Sequence, residues 1–182
     1  KDVPGDLEIV MIPGNHDAVR LAEPQPAFDE QLREIMSAHD ATISANPSTV
    51  TVEGVSILMY HGVSLDEIIA ELPNASYDEP AKAMTHLLRK RHVAPQYGGQ
   101  TRIAPEEEDH LVIEEVPDIF HAGHVHKLGC TQYHGVLTVN SGCWQAQTDF
   151  QRSVNIDPDT GNAPIVDLDP PDMTIRPSPS PT

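Results

Sequence analysis

Three short apolar runs in this chain each end in a glycine-containing loop that carries histidine. Leu7-Glu8-Ile9-Val10-Met11-Ile12 leads into Pro13-Gly14-Asn15-His16-Asp17, and Val55 to Tyr60 leads into His61-Gly62. Asp118 to His121 leads into Ala122-Gly123-His124-Val125-His126. Runs of this length, rich in β-branched and aromatic residues, read as strands. Loops at the carboxyl ends of strands are where open α/β sheets place ligands. A lone His at a strand end is commonly a surface or core residue. Three such loops, in this order, are hard to explain as structure alone.

The residue types point to metal chemistry. Imidazole suits Mn, Fe, Zn and Ni, and an Asn carbonyl oxygen is a harder ligand. A mixed N/O set favours Mn²⁺ or Fe²⁺ over a structural zinc. His124 and His126, two apart, cannot share a helical face, but in a bend they can address two neighbouring metals. A Gly before such a ligand lets the backbone approach closely.

Around these loops the pattern is mixed. Phe28, Leu32, Ile35 and Met36 predict an amphipathic helix over 27–38. Val50-Thr51-Val52 and 55–60 predict a hairpin around Glu53-Gly54. Ser64 and Glu67 have the spacing of a capping box for a helix to Leu72, and Pro80 suits the first turn of a helix to His92. Residues 94–110 read as a Gly-, Pro- and Glu-rich loop, and Leu111 to Val116 as a short helix or turn. Further strands are expected at 135–139, 153–156 and 163–168, the last after a turn at 157–161. From Pro170 the chain becomes a Pro/Ser-rich tail, expected to be loose. The expected organisation is one domain over 1–169 and a tail over 170–182. Strands and helices without strict βαβ alternation suggest an α/β or α+β sandwich. A chain that opens on Lys1, almost inside its first strand, reads as the C-terminal part of something longer.

Charge narrows the function classes. Among 182 residues, 11 Lys+Arg against 28 Asp+Glu give a net charge of −17. That excludes binding to DNA or anionic membranes through a broad basic surface. It leaves room for DNA held by metals and a few arginines. No apolar run approaches the roughly 18 residues needed to span a bilayer, so a cytoplasmic protein is expected. Cys130 and Cys143 are too few for a disulfide framework and are read as reduced residues. Excess carboxylate with few lysines suits work in multimolar salt, where the Debye length is only about 3 Å.

The order G-N-H-D, H-G and G-H-x-H resembles the second half of the calcineurin-like metallophosphoesterase superfamily. Gly14-Asn15-His16-Asp17-Ala18-Val19-Arg20 with Glu23-Pro24-Gln25-Pro26 resembles, more closely, the small subunits of archaeal family-D DNA polymerases. So do 94–105, from Ala94-Pro95-Gln96-Tyr97-Gly98-Gly99 to Ala104-Pro105, and 111–126. The resemblance covers 7–169, and with the acidic composition it implies a haloarchaeal source.

The resemblance implies a metallophosphoesterase sandwich, two mixed β-sheets flanked by helices, of which this chain holds a part. It implies a proofreading 3′→5′ exonuclease working through two divalent metals, Mn²⁺ first, with Fe²⁺, Zn²⁺ or Mg²⁺ as alternatives. Asn15, His61 and His124 would hold one metal and His126 the other. His16 would act at the scissile phosphate as general acid or charge stabiliser, and Asp17 would orient it. The implied partners are the large catalytic polymerase subunit and a DNA 3′ end, with the sliding clamp as a further candidate. The superfamily's upstream motifs, D-x-H and G-D-x-x-D, have no counterpart here, since Gly5-Asp6-Leu7-Glu8 lacks the second Asp. This fragment alone is therefore expected to be nearly inactive. The alternatives are a non-catalytic scaffold that docks the large subunit, or another phosphoesterase such as a phosphatase.

Outside the motifs, Arg20 and Arg102 are read as DNA contacts or, equally, as a surface ion pair and a subunit contact. Arg89-Lys90-Arg91-His92 suits a helix C-terminus, and Glu106-Glu107-Glu108-Asp109 a solvated face. His121 is read as packed or supporting, and Trp144 as a base-stacking or core residue.

Overall fold

A computed structural model describes residues 6–36, 41–153, 155–169 and 171–177. Its centre is a five-stranded mixed sheet of β3 (Ser48–Val52), β4 (Val55–Tyr60), β5 (Ile119–Ala122), β7 (Val136–Ser141) and β6 (Leu128–Tyr133), in that spatial order. Its outer pairs are antiparallel hairpins, and β4, β5 and β7 run parallel. Both hairpins close on two residues with positive φ: Glu53 and Gly54 at 49° and 83°, His134 and Gly135 at 48° and 86°. Two consecutive left-handed residues make the turn whose twist matches that of the flanking strands.

The two inner parallel strands, β5 and β7, are buried on both faces. On one face α2 (Leu65–Glu71) and α3 (Pro80–Lys90) pack Leu65, Ile68, Met84 and Leu87 against Tyr60, Phe120 and Val136. On the other, Ile119, Leu137 and Val139 meet Val166 and Leu168 of β8 (Asn162–Leu168). Each fully buried side chain of this size contributes about 1.5–3 kcal/mol through removal from water. Apart from this sheet, β1 (Ile9–Met11) pairs in parallel with β2 (Ala41–Ile43), and β8 pairs with β9 (Pro171–Pro177).

Most predicted elements form, with instructive exceptions. The first helix, α1, runs only over Glu30–Met36. Asp29 Oδ1 accepts the Leu32 N–H at 2.9 Å, which sets its start after Phe28. Phe28 is buried, yet Ile35 on the predicted apolar face is 73% exposed. The far end of the predicted span, 37–38, lies outside the described residues.

The expected capping box at α2 does not form. Ser64 Oγ donates to the Val93 carbonyl, and Glu67 receives the Thr101 N–H, so both side chains anchor the following loop instead. A capping box forms at α4 (Asp149–Ser153), where the apolar pattern predicts a strand over 153–156. Gln151 N–H donates to Thr148 Oγ1 at 3.2 Å, and Thr148 N–H to Gln151 Oε1 at 2.9 Å.

Three strands go beyond the expected set: β2, β6 and β9. In β6 the alternation is weakened by Gly129, where an added Cβ would lie 3.0 Å from Pro80 Cγ, so glycine lets α3 start directly over the strand. β9 occupies 171–177, within the expected loose tail, and its two prolines stand at its ends, where they break no internal ladder bond. Residues 178–182 lie outside the described residues.

Candidate metal centre

Strand register builds the site. Tyr60 pairs with Ala122 at the carboxyl ends of β4 and β5, so His61 and Gly123 leave the sheet side by side. The Gly123 N–H donates to the His61 carbonyl at 3.0 Å. Gly62 takes φ 113°, and an added Cβ there would lie 3.0 Å from the Gly123 carbonyl oxygen. His124 and His126 are both left-handed, at φ 67° and 58°, around the buried Val125. Such positions cost about 1–3 kcal/mol each for a residue with a Cβ and cluster at ligand sites.

The loop after β1 comes in from outside this sheet. Asn15 Oδ1 lies 2.8 Å from His61 Nε2, and His124 Nδ1 lies 3.2 Å from the same His61 nitrogen. Adjacent donors on one first-row metal, with bonds of about 2.1 Å, stand about 3.0 Å apart when the bonds are near perpendicular. Both distances to His61 Nε2 are of the size that donors sharing one divalent ion show. Among the described residues no group of three or more His, Cys, Asp or Glu forms a metal cluster. The convergence here is of two imidazoles and one carboxamide.

His61 is suited to this role. Burial, with the nearby His124, His16 and His126, pushes its pKa down to about 4, which favours the neutral ring that metal binding requires. His124 also contacts Asp66 on α2: its Nε2 lies 2.9 Å from Asp66 Oδ2, and Tyr77 Oη donates to Asp66 Oδ1 at 3.1 Å. Burial works to raise the Asp66 pKa, but these bonds outweigh it and the carboxyl stays below its usual range.

His16, exposed, and His126 line the same cleft as these ligands, whose volume is about 1260 Å³. His126 has a hydrogen-bond partner of its own in the cleft wall. Gln151 Nε2 donates to its Nδ1 at 2.6 Å. Since Gln151 Oε1 already accepts the Thr148 N–H, the amide orientation is set by the α4 capping box. Burial lowers the His126 pKa.

Asp17 touches the backbone and not His16. Its carboxylate accepts the Gly14 N–H at 2.7 Å and its own N–H donates to the Gly14 carbonyl at 3.2 Å. It shapes the turn that presents Asn15. Neither predicted arginine lines the cleft. Arg20 donates to the Pro24 carbonyl and pairs with Glu106. Arg102, exposed in the Gly-rich loop, has a carbonyl that accepts the Glu23 N–H at 2.8 Å. Arg91 holds the 113–114 carbonyls, and His92 pairs with Asp109, so the basic cluster and the acidic run partly close on each other and on Arg20. Trp144 is 71% exposed beside Gln145 of the cleft wall. His121 is half-buried, and burial lowers its pKa. Cys130 and Cys143 are free.

Beneath the two ligand loops lies a polar network that motif reading missed. Asn46 Oδ1 accepts the His61 N–H at 2.7 Å, and Asn46 Nδ2 donates to Gln25 Oε1 at 2.7 Å. Gln25 Nε2 in turn donates to the Gly14 carbonyl at 3.2 Å. Tyr60 Oη donates to Glu23 Oε2 at 2.8 Å and accepts the Ser64 N–H at 3.0 Å. Burial raises the Glu23 pKa to about 7 despite the Tyr60 and Asn46 bonds. Glu23 and Gln25 stand in the Glu-Pro-Gln-Pro run, a legible signal, but Asn46 has no motif around it.

The profile of the family formed by the B subunits of DNA polymerases alpha and epsilon matches residues 5–129. A DNA polymerase II small subunit of Halobacterium salinarum is 70% identical over 178 residues, covering 97% of this chain and 35% of that protein. Proteins of the same description from Archaeoglobus fulgidus and Pyrococcus furiosus are 52% and 45% identical over 164 and 168 residues. Those alignments cover 90% and 92% of this chain and 33% and 27% of the respective relatives. The chain thus spans about a third of the length of the curated relatives it matches. No helix among the described residues is long and apolar enough to cross a membrane.

Proposed function

From the premise that this chain belongs to the family of the B subunits of DNA polymerases alpha and epsilon, we propose that it carries half of a two-metal 3′→5′ exonuclease centre. On this reading it is part of the small subunit of an archaeal replicative DNA polymerase, docks a large catalytic subunit and acts on DNA 3′ ends. The observation that carries the proposal is the convergence of Asn15 Oδ1, His61 Nε2 and His124 Nδ1 at the strand ends. That donor set suits Mn²⁺, with Fe²⁺, Zn²⁺ or Mg²⁺ as alternatives. Asn15, His61 and His124 would hold one ion, and His126 would serve a second after giving up its bond to Gln151. Divalent metal bound there supplies Lewis acidity and an acidified water.

The chain's own residues do the rest. His16, at the cleft mouth, hydrogen-bonds the phosphate and passes a proton to the departing 3′-oxygen. A water oxygen bonds to phosphorus as the bond to the 3′-oxygen breaks, leaving a nucleoside monophosphate and a shortened strand. Asp17 holds the turn that carries Asn15 and His16. Lys127 in the cleft wall is already paired with Asp78 and Asp159, so phosphate affinity rests mainly on metal.

The test uses the full-length subunit. His61→Ala is expected to abolish Mn²⁺-dependent release of nucleotides from single-stranded DNA while assembly with the large subunit persists. Undiminished release would remove His61 from the centre. A scaffold reading draws on one specific observation, the Gln151 bond that occupies His126 Nδ1. It predicts no Mn²⁺-dependent release from the wild-type protein at all.

A further inference from the structure

Asp66 occupies no place in the ligand motifs, yet it touches the site. It lies in the first turn of α2, five residues beyond His61. Its Oδ2 is 2.9 Å from His124 Nε2, and its Oδ1 is held by the Tyr77 hydroxyl at 3.1 Å. A carboxylate only accepts, so His124 Nε2 must carry the proton in this pair. In a neutral ring Nδ1 then bears the lone pair, and Nδ1 is the atom 3.2 Å from His61 Nε2.

We propose that Asp66 is a positioning residue: it fixes His124 in the Nε2–H tautomer and so turns the Nδ1 lone pair toward the point shared with Asn15 and His61. This rests on the metal site proposed above. Carboxylates that receive the second N–H of a ligating imidazole fix its tautomer and orientation, and their loss costs about 10- to 100-fold in metal affinity. Tyr77 contributes by occupying the other carboxylate oxygen, which keeps Oδ2 on His124. The left-handed backbone at His124 makes such support necessary, because a ring on a strained bend has no helix or strand to hold it.

The experiment measures two things in the full-length subunit. The first is the tautomer of His124, by imidazole ¹⁵N shifts in metal-free protein. The second is Mn²⁺ affinity, by the electron-spin-resonance signal of free Mn²⁺. Wild type is expected to show the Nε2–H tautomer. Asp66→Ala and Asp66→Asn are expected to mix the tautomers and weaken Mn²⁺ binding by about 10- to 100-fold. Asp66→Asn can still accept through Oδ1, so its loss should be the smaller. Tyr77→Phe, which leaves the carboxylate in place, is expected to weaken binding by less than about tenfold and guards against a folding defect at position 66. A pure Nε2–H tautomer with wild-type Mn²⁺ affinity in Asp66→Ala overturns the proposal, as does a wild-type subunit that binds no Mn²⁺. A wild-type subunit that binds Mn²⁺ but releases no nucleotide overturns the nuclease reading alone.

Discussion

Gly14 and His61 meet so closely that no side chain fits between them. An added Cβ on Gly14 would lie 2.6 Å from His61 Cε1 and 2.8 Å from its Nδ1. The glycine of the first ligand loop therefore seats the histidine of the second, from a strand 46 residues away from Asn15. Gly14→Ala must push the ring off its position between Asn15 and His124. The expected result in the full-length subunit is a loss of Mn²⁺ affinity of at least about tenfold, with a cooperative unfolding transition retained. Wild-type affinity would show that the ring has room to give way.

Glu23 predicts a pH dependence of stability. Its carboxyl titrates at about 7 when folded, against 4.5 for the ordinary group. Between those values the folded chain holds the proton more tightly than the unfolded chain. Stability therefore falls as pH rises through that window, and the penalty is complete above it. At about 1.4 kcal/mol per tenfold change in proton affinity, the total is about 3 kcal/mol. Glu23→Gln removes the titrating group, so its denaturation midpoint should stay flatter than wild type across this range. An identical slope would place the titration elsewhere.

Trp144 is expected to stack on a base of the bound strand. It is large, apolar and 71% exposed, next in sequence to Gln145 of the cleft wall, and stacking of this kind is worth about 1–3 kcal/mol per base. Trp144→Ala should weaken binding of single-stranded DNA by about 5- to 150-fold with thermal stability unchanged. If binding is unaltered by fluorescence anisotropy, the indole faces something other than DNA.

Net charge predicts the response to salt. With −17 distributed over 182 residues, self-repulsion opposes compaction until ions screen it. The unfolding midpoint is expected to rise steadily from about 0.1 M to about 3 M KCl, where the Debye length falls below about 3 Å. A midpoint independent of KCl would mean that the carboxylates are already neutralised locally. The Arg20–Glu106 and His92–Asp109 pairs are local contacts of that kind.

Local signals in the sequence are legible. The hairpin around Glu53-Gly54, Pro80 opening α3 and the strand leading to Gly123-His124 all form as their residues suggest. Signals that depend on a competing partner mislead. Ser64 and Glu67 have capping-box spacing, but both are drawn to the loop over 93–101. The box at Thr148 and Gln151 has the same signature. The strand-like run from Ser153 to Ile156 just beyond it masks that signature. Asp17 follows His16 directly, yet its carboxylate accepts the Gly14 N–H within the turn.

The sequence by itself determined the ligand types, their order and their placement after apolar runs, because chemistry and strand periodicity are properties of neighbouring residues. It also determined the charge, which argues against binding DNA through a broad basic surface. Only the tertiary structure decided which ligands meet. Parallel pairing of β4 with β5 in the Tyr60–Ala122 register sets His61 beside Gly123, and Asn46 and Gln25 tie both ligand loops from below. The same packing turned Asp66 onto His124 and left His126 on Gln151. Those contacts join residues tens of positions apart. They are set by which buried polar groups can satisfy one another, a condition that no short window of sequence contains.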